Sequence, residues 1–148
     1  MDNLSDQHYL LSEQYKTPAN LDARVYLHQR FSTNPYPWQR WVFDHLVLPD
    51  QAHILEIGCG PGHLWQQNLD RIAPGWQVML ADLSSGMLAE ARGKLAQAEP
   101  ACDIQFCVAD AQVLPFRDGE FDAIVANHML CYVPDRQRAI ADIRRVLK

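Results

Sequence analysis

The segment ILEIGCGPG, residues 54–62, decides the fold of this chain. It begins with an apolar run that only Glu56 interrupts, and glycines follow at positions 58, 60 and 62. Glycines directly after an apolar run are typical of a buried strand whose backbone turns sharply into a helix. The segment therefore predicts a strand, a glycine turn and a helix in that order.

The same alternation continues beyond residue 48. Four apolar runs are predicted strands: HILEI, WQVML, IQFCV and FDAIVA. Helices are predicted over residues 61–69, 84–96 and 134–147. Runs that are apolar at consecutive positions indicate parallel strands covered by helices on both faces. Ser84 and Ser85 are candidate N-caps, because a serine side chain can accept a hydrogen bond from the first turn of a helix. The predicted fold class is α/β with a doubly wound parallel sheet.

The first 47 residues have a helical pattern instead, divided by turn signals at 17–18 and 34–37. We predict two units, an N-terminal helical cap over 1–47 and the α/β domain over 48–148. The cap is rich in aromatic side chains, which either form a wall for a substrate or, more simply, pack a helix against the sheet: Tyr36, Trp38, Trp41 and Phe43.

Composition argues against several classes of partner. The 148 residues carry a net charge of -5, which argues against attraction to nucleic acid or to an anionic membrane surface. No segment has the roughly 20 apolar residues that a membrane span needs. The four cysteines form no CxxC pair and indicate reduced thiols in a cytoplasmic protein. Cys59 and His63 are four residues apart without further ligands nearby, so no metal site is expected.

Three carboxylates lie in or at the ends of predicted strands: Glu56, Asp82 and Asp110. Asp82 follows the glycine turn by about 20 residues, where a carboxylate can accept hydrogen bonds from both hydroxyls of a ribose. An adenosine ligand is therefore expected. Residues 41–70 contain no Lys or Arg to meet a pyrophosphate, and the glycine spacing is GxGxG rather than GxGxxG. These features favour a ligand with positive charge, S-adenosylmethionine, over a dinucleotide.

Four motifs in order, ILEIGCGPG, ADLSSGML, VADAQVLPF and FDAIVANHMLCYVPD, resemble the class I S-adenosylmethionine-dependent methyltransferases. The resemblance is strongest to the broad group of small-molecule enzymes related to the ubiquinone and menaquinone methyltransferases. It implies a Rossmann-like sheet with strand order 3-2-1-4, the first part of a 3-2-1-4-5-7-6 family fold. It also implies methyl transfer from S-adenosylmethionine to an unidentified small molecule, with S-adenosylhomocysteine as the product.

The resemblance also assigns roles to residues. Gly58, Cys59, Gly60 and Gly62 would lie behind the methionine portion of the cofactor, and Glu56 would hold its amino group. Asp82 would bind the ribose, and the adenine would meet Leu83, Met87, Asp110 and Ala111. Asn127 and His128 would line the place where methyl donor and acceptor meet, with His128 as a candidate general base.

Family members continue with a Pro-Gly-Gly turn and three further strands, so we expect this chain to be an N-terminal part of such a fold. The apolar fourth strand would then be an exposed sheet edge, which a second copy of the chain could cover as a homodimer. Two alternatives stay open: a nicotinamide-dependent oxidoreductase, and a cofactor-binding fragment without activity of its own.

Overall fold

The computed structural model describes Tyr9 and residues 19–148. The predicted break at 17–18 and the helix before it lie outside this part of the chain. The helices are α1 (Ala19–Phe31), α2 (Trp38–Asp44), α3 (His63–Gln66), α4 (Ser85–Ala98) and α5 (Arg136–Val146). The strands are β1 (Gln51–Ile57), β2 (Gly75–Asp82), β3 (Asp103–Val108) and β4 (Ala123–Val125). Short 3-10 helices cover Leu69–Arg71 and Leu130–Tyr132.

The described strands form one parallel sheet with the order β3-β2-β1-β4, which confirms the predicted fold class and order. Ile54 of β1 pairs with Val78 of β2 on one side and with Ala123 of β4 on the other. The strand order reverses between β1 and β4, and open α/β sheets bind ligands at the carboxyl ends of the strands beside such a switch point. The glycine turn follows β1 at this place.

Apolar side chains cover both faces of the sheet. Ile54 belongs to a core cluster that also contains Trp65, Trp76 and Leu88. The next residue, Leu55, points into a second cluster on the opposite face, with α5 among its contributors. Burial of consecutive residues explains why the β1 sequence is apolar without alternation.

Two predicted elements are shorter than expected. The helix predicted over 61–69 is a single turn, α3, followed by the 3-10 helix, because Asn68 inside the predicted span folds its side chain back onto the Leu64 carbonyl at 2.7 Å. The predicted strand FDAIVA is regular only over Ala123–Val125. Its first residue, Phe121, instead pairs with Leu147 in an isolated parallel bridge.

Helix α2 is fixed to the α/β domain by its buried side. Phe43 is 4% exposed and lies against the rings of Trp65 and Trp76, at centroid distances of 6.0 and 5.7 Å. Arg40 forms an ion pair with Asp70 at 2.9 Å. Helix packing therefore accounts for Phe43, whereas Tyr36, Trp38 and Trp41 are about half exposed.

The helical caps follow the sequence. The Ser84 hydroxyl accepts a hydrogen bond from the Met87 backbone N–H at 3.3 Å, as predicted. Asp135 caps α5 in the same way, through the Arg138 N–H at 2.9 Å. Within the part of the chain that the structure describes, no helix has the length and apolar character of a membrane span.

Candidate cofactor site

The glycine turn leaves β1 with three residues in left-handed backbone conformations: Gly58, Gly60 and Gly62 have φ angles of +69°, +54° and +78°. Such angles are unfavourable for residues with a Cβ atom. The backbone N–H groups of Gly58 and Cys59 both donate to the Ala81 carbonyl, at 2.8 and 3.1 Å. The turn is thus held against the end of β2.

Asp82 connects this turn to the start of α4. One carboxylate oxygen accepts from the Gly60 N–H at 2.9 Å, and the other accepts from the Ser84 N–H at 2.8 Å. Burial raises the pKa of Asp82, and hydrogen bonds from these backbone N–H groups oppose the rise. A carboxylate has about four acceptor positions. The carboxylate can therefore hold the turn and still accept from ribose hydroxyls.

Glu56 lies below the turn in the sheet and is 4% exposed. Its Oε2 accepts a hydrogen bond from the indole Nε1 of Trp65 at 2.8 Å. The pKa of Glu56 is raised to about 8. Burial is the main cause, the Trp65 hydrogen bond opposes the rise, and the nearby charge of Asp82 adds to it. Glu56 is consequently mostly protonated at neutral pH in the free protein.

Cys59 is buried within the same turn. Burial raises the pKa of its thiol well above the usual range, and the charges of Glu56 and Asp82 add to the effect. A thiol in this state is a poor nucleophile, because the thiolate is the reactive form. Cys59 can line a ligand site but is not suited to covalent catalysis.

Asp110 lies beyond β3, close to Asp82, since the Ala109 N–H donates to the Asp82 carbonyl at 3.1 Å. The carboxylate of Asp110 accepts from the backbone N–H and the side-chain amide of Gln112, at 2.9 and 3.0 Å. It therefore shapes the turn after β3, and the predicted contact with adenine remains a prediction. Among the other predicted cofactor residues, Met87 and Ala111 are buried and Leu83 is half-buried.

Gly62 contributes mainly to packing. A Cβ atom at this position would lie 3.3 Å from both the Ala91 Cβ and the Leu95 Cδ1 of α4. Gly62 is also the residue before α3, where its left-handed conformation starts the helix. The close packing at the start of α3 against α4 thus explains why position 62 is a glycine, whether or not a ligand lies on the turn.

The loop after β4 reaches back to the glycine turn. Glu56 pairs with Val125, and Asn127 follows Val125 by two residues, as Gly58 follows Glu56. A Cβ atom on Gly58 would lie 2.6 Å from the Cβ of Met129, so this loop packs directly on the turn. Asn127 is half-buried and His128 is exposed at this contact.

His128 adopts a left-handed conformation with φ of +52°, which is uncommon for a residue with a side chain. Its ring lies 5.0 Å from the ring of Trp38, the first residue of α2. This pairing could not be predicted from the sequence, because the two residues are 90 positions apart and Trp38 belongs to no motif. The hydrogen bond between Trp65 and Glu56 was also not predicted, although the two residues are only nine positions apart.

The residues of the turn fit an adenosine ligand that carries positive charge. Among the side chains that the structure describes, the hydrogen-bond partners of Glu56 and Asp82 are neutral N–H groups, and no cation pairs with either. A buried and a half-buried carboxyl group near one another are costly unless a cation or a proton offsets them. No group of three or more metal-ligating side chains occurs in this part of the chain.

Comparison with known proteins identifies a family for this chain. The methyltransferase domain family matches residues 54–148. The ubiquinone/menaquinone biosynthesis C-methyltransferase UbiE of Saccharophagus degradans is 35% identical over 111 residues, which are 75% of this chain and 45% of that protein. The chain thus spans less than half the length of this curated relative.

Solved structures show the same fold. The [4+2]-cyclase SpnF superposes with a TM-score of 0.68 at 28% identity, over 74% of this chain and 40% of that one. Phosphoethanolamine N-methyltransferase 2 of Haemonchus contortus, in complex with S-adenosyl-L-methionine, has a TM-score of 0.73 at 24% identity, over 98% of this chain and 33% of that one. With its glycine turn, its sheet order and its match over residues 54–148, the chain belongs to the class I S-adenosylmethionine-dependent methyltransferases.

Proposed function

We propose that the glycine turn binds S-adenosylmethionine and that the protein transfers its methyl group to a small molecule. This proposal is carried by two carboxyl groups beside the turn, the buried Glu56 and the half-buried Asp82, whose hydrogen-bond donors among the described residues are neutral N–H groups. S-adenosylmethionine brings a sulfonium and an ammonium into such a site. A pyrophosphate would add negative charge where two carboxyl groups are already close.

In this proposal each end of the cofactor has its own contacts. Glu56 accepts from the ammonium, and Gly58, Cys59, Gly60 and Gly62 support the methionine portion. Asp82 accepts from the ribose hydroxyls. The adenine lies near Leu83, Met87, Asp110 and Ala111, at the carboxyl ends of β2 and β3.

The sulfonium methyl group is already activated when the cofactor is bound, so the chain needs to align an acceptor with it and to exclude water. Asn127 and His128 follow β4 beside the turn and are in place to line the acceptor side. The imidazole of His128 is the candidate group to take a proton from the acceptor. The dedicated nucleophile that other transferases need has no role in direct in-line transfer.

The fold alone does not select methyl transfer, because the SpnF structure is that of a [4+2]-cyclase. A protein that binds the cofactor without transferring its methyl group is therefore the second candidate. The nicotinamide oxidoreductase has less support, since the family match is to a methyltransferase domain and the turn lacks the GxGxxG spacing.

Calorimetric titration of the 148-residue chain separates these functions. We expect heat on adding S-adenosylmethionine or S-adenosylhomocysteine and none on adding NAD. Heat with NAD alone would overturn the proposal. If both adenosyl compounds bind but a protein that includes this chain releases no S-adenosylhomocysteine with a broad set of acceptors, cofactor binding without transfer is the function.

Two variants connect binding to the named residues. Asp82→Asn should weaken binding of S-adenosylhomocysteine by about tenfold or more, because hydrogen bonds to a charged group contribute about 1.5–3 kcal/mol. Glu90→Gln is the control, since Glu90 lies on the outer side of α4 in an exposed ion pair with Lys94. Equal affinities for both variants would remove Asp82 from the site.

A further inference from the structure

The indole of Trp65 contacts both helix α2 and the carboxyl group of Glu56. Trp65 is fully buried, at 0% exposure, and its Nε1 donates to Oε2 of Glu56 at 2.8 Å. The same ring meets Phe43 of α2 edge to face, with the ring centroids 6.0 Å apart. Core packing and a hydrogen bond thus fix the orientation of this indole together.

The single turn of α3, which carries Trp65, is held in place by a buried amide. Asn68 is 0% exposed, and its Nδ2 donates to the Leu64 carbonyl at 2.7 Å and to the Gln39 carbonyl of α2 at 3.1 Å. A helix of one turn has little stability of its own. These contacts therefore determine where α3 lies against α2, and with it where the indole of Trp65 lies.

The fixed indole in turn constrains Glu56. A glutamate side chain loses considerable rotamer freedom when it is held in one conformation, and a partner already in place reduces that loss at the moment of ligand binding. Burial raises the pKa of Glu56, and the Trp65 hydrogen bond opposes the rise, so the bond favours the ionised form that attracts an ammonium. A carboxylate has about four acceptor positions. One bond from an indole therefore leaves capacity for a ligand.

We infer that Trp65 is a positioning residue for the amino-acid end of the cofactor: by holding the carboxyl group of Glu56, it makes the site prefer adenosyl ligands that carry an ammonium over those that lack one. This inference rests on the proposed function, in which Glu56 is the ammonium contact. It assigns ligand selectivity to a residue that acts through Glu56 and lies outside the four sequence motifs.

Two thioether ligands separate the two ends of the site. S-adenosylhomocysteine carries the amino-acid end, whereas 5′-methylthioadenosine has the same adenosine and sulfur without the ammonium and carboxylate. Calorimetry compares both ligands on the 148-residue chain and on Trp65→Phe, which removes the indole N–H and keeps an aromatic ring. Trp76→Phe is the matched control, because Trp76 is also buried and packed on Phe43 but donates to the Pro49 carbonyl.

We expect Trp65→Phe to weaken S-adenosylhomocysteine binding about tenfold and 5′-methylthioadenosine binding less than about twofold. Trp76→Phe should leave both dissociation constants within about twofold of the wild type. Equal weakening or loss of both ligands in Trp65→Phe would overturn the inference, because Trp65 would then support the turn as a whole. An unchanged affinity for S-adenosylhomocysteine, or the same loss in Trp76→Phe, would also overturn it.

A double-mutant comparison shows whether Trp65 acts through Glu56. In a Glu56→Gln background, Trp65→Phe should change S-adenosylhomocysteine binding by less than about twofold, since the carboxylate that Trp65 holds is absent. A further tenfold loss in this background would overturn the inference.

The wild-type chain separates this inference from the proposed function. Failure of both ligands to bind the wild type would contradict the proposed function and the inference with it. Binding of both ligands to the wild type, without the expected difference between them in Trp65→Phe, would retain the cofactor site and reject only the role of Trp65.

Discussion

Glu56 lies buried in the sheet, where an ionised side chain is least favourable, and the half-buried Asp82 is near enough for its charge to raise the pKa of Glu56. Their hydrogen-bond donors are neutral, which lowers the cost of burial without removing the charge. The pKa of Glu56 rises to about 8 and that of Asp82 also rises, both mainly because of burial. At the scale of single residues, the site therefore holds a proton that a cationic ligand can replace.

The raised pKa of Glu56 makes stability depend on pH. The folded protein holds this proton up to about pH 8, whereas the unfolded chain releases it near pH 4.5. The contribution of Glu56 protonation to the free energy of unfolding is therefore complete below pH 4.5 and is lost as pH rises through 8. Between pH 6 and 9 the free energy of unfolding should fall by on the order of 2–3 kcal/mol. Urea unfolding measures it. Glu56→Gln should show a smaller fall, and identical pH profiles would contradict the assignment.

Replacing Gly58 or Gly93 by alanine compares a strained backbone position with an unstrained one. Gly58→Ala should destabilise the fold by about 2 kcal/mol or more, because Gly58 has φ of +69° and a Cβ would meet Met129. Gly93→Ala should stabilise by about 0.5–1 kcal/mol, since Gly93 lies inside α4 and a Cβ there meets nothing within 4 Å. Thermal unfolding compares the two, and equal effects would refute the strained turn.

Among the elements, α2 determines how the cap residues meet the sheet. Its buried side contacts α3 and β2 through Phe43, and its exposed side carries Trp38 and Trp41. Ion pairs at Arg40–Asp70 and Arg71–Asp44 flank the buried contact. The helix is thus packed against the α/β domain, and the domain boundary after residue 47 stays a prediction.

Removing the buried ring should loosen this attachment. Phe43→Ala is expected to cost about 3–5 kcal/mol in the free energy of unfolding, because it opens a cavity beside Trp65 and Trp76. Val47→Ala is the control at an 89% exposed position and should change stability by less than about 0.5 kcal/mol. A loss at Phe43 no larger than that of the control would show that α2 is not docked as described.

The sequence predicts elements well where one local pattern determines them. The apolar runs predict the four described strands. Ser84 predicts where α4 begins, and the glycines predict where β1 ends. The length of β4 could not be predicted, because it depends on Phe121 pairing with Leu147, 26 positions away. The Glu56–Trp65 hydrogen bond and the Trp38–His128 contact were also missed, since they arise from packing between elements.

For the molecule as a whole, β4 is one of the two edges of the described sheet, and β3 is the other. Beyond the bridge from Phe121 to Leu147, no described strand pairs with the outer side of Ala123–Val125. Unpaired strand edges favour association with another chain. The chain spans 45% of the length of its curated relative, so what covers this edge in a longer protein is not described by these residues.

For the 148-residue chain alone, we expect self-association through this edge. Sedimentation equilibrium should show a dimer whose dissociation constant rises when Ile124→Lys places a charge on β4. Gln97→Lys, at an exposed position on α4, is the charge-matched control. A monomer at millimolar concentration would contradict the predicted homodimer.

Proton release on binding tests most directly whether the carboxyl groups beside the glycine turn select a cationic adenosyl ligand. S-adenosylmethionine is titrated at pH 7 in buffers of different ionisation enthalpy, into the wild-type chain and into Glu56→Gln. Because the ammonium favours the ionised form of Glu56, the wild type should release close to one proton more than the variant. Tight binding with the same proton release in both proteins would contradict the claim.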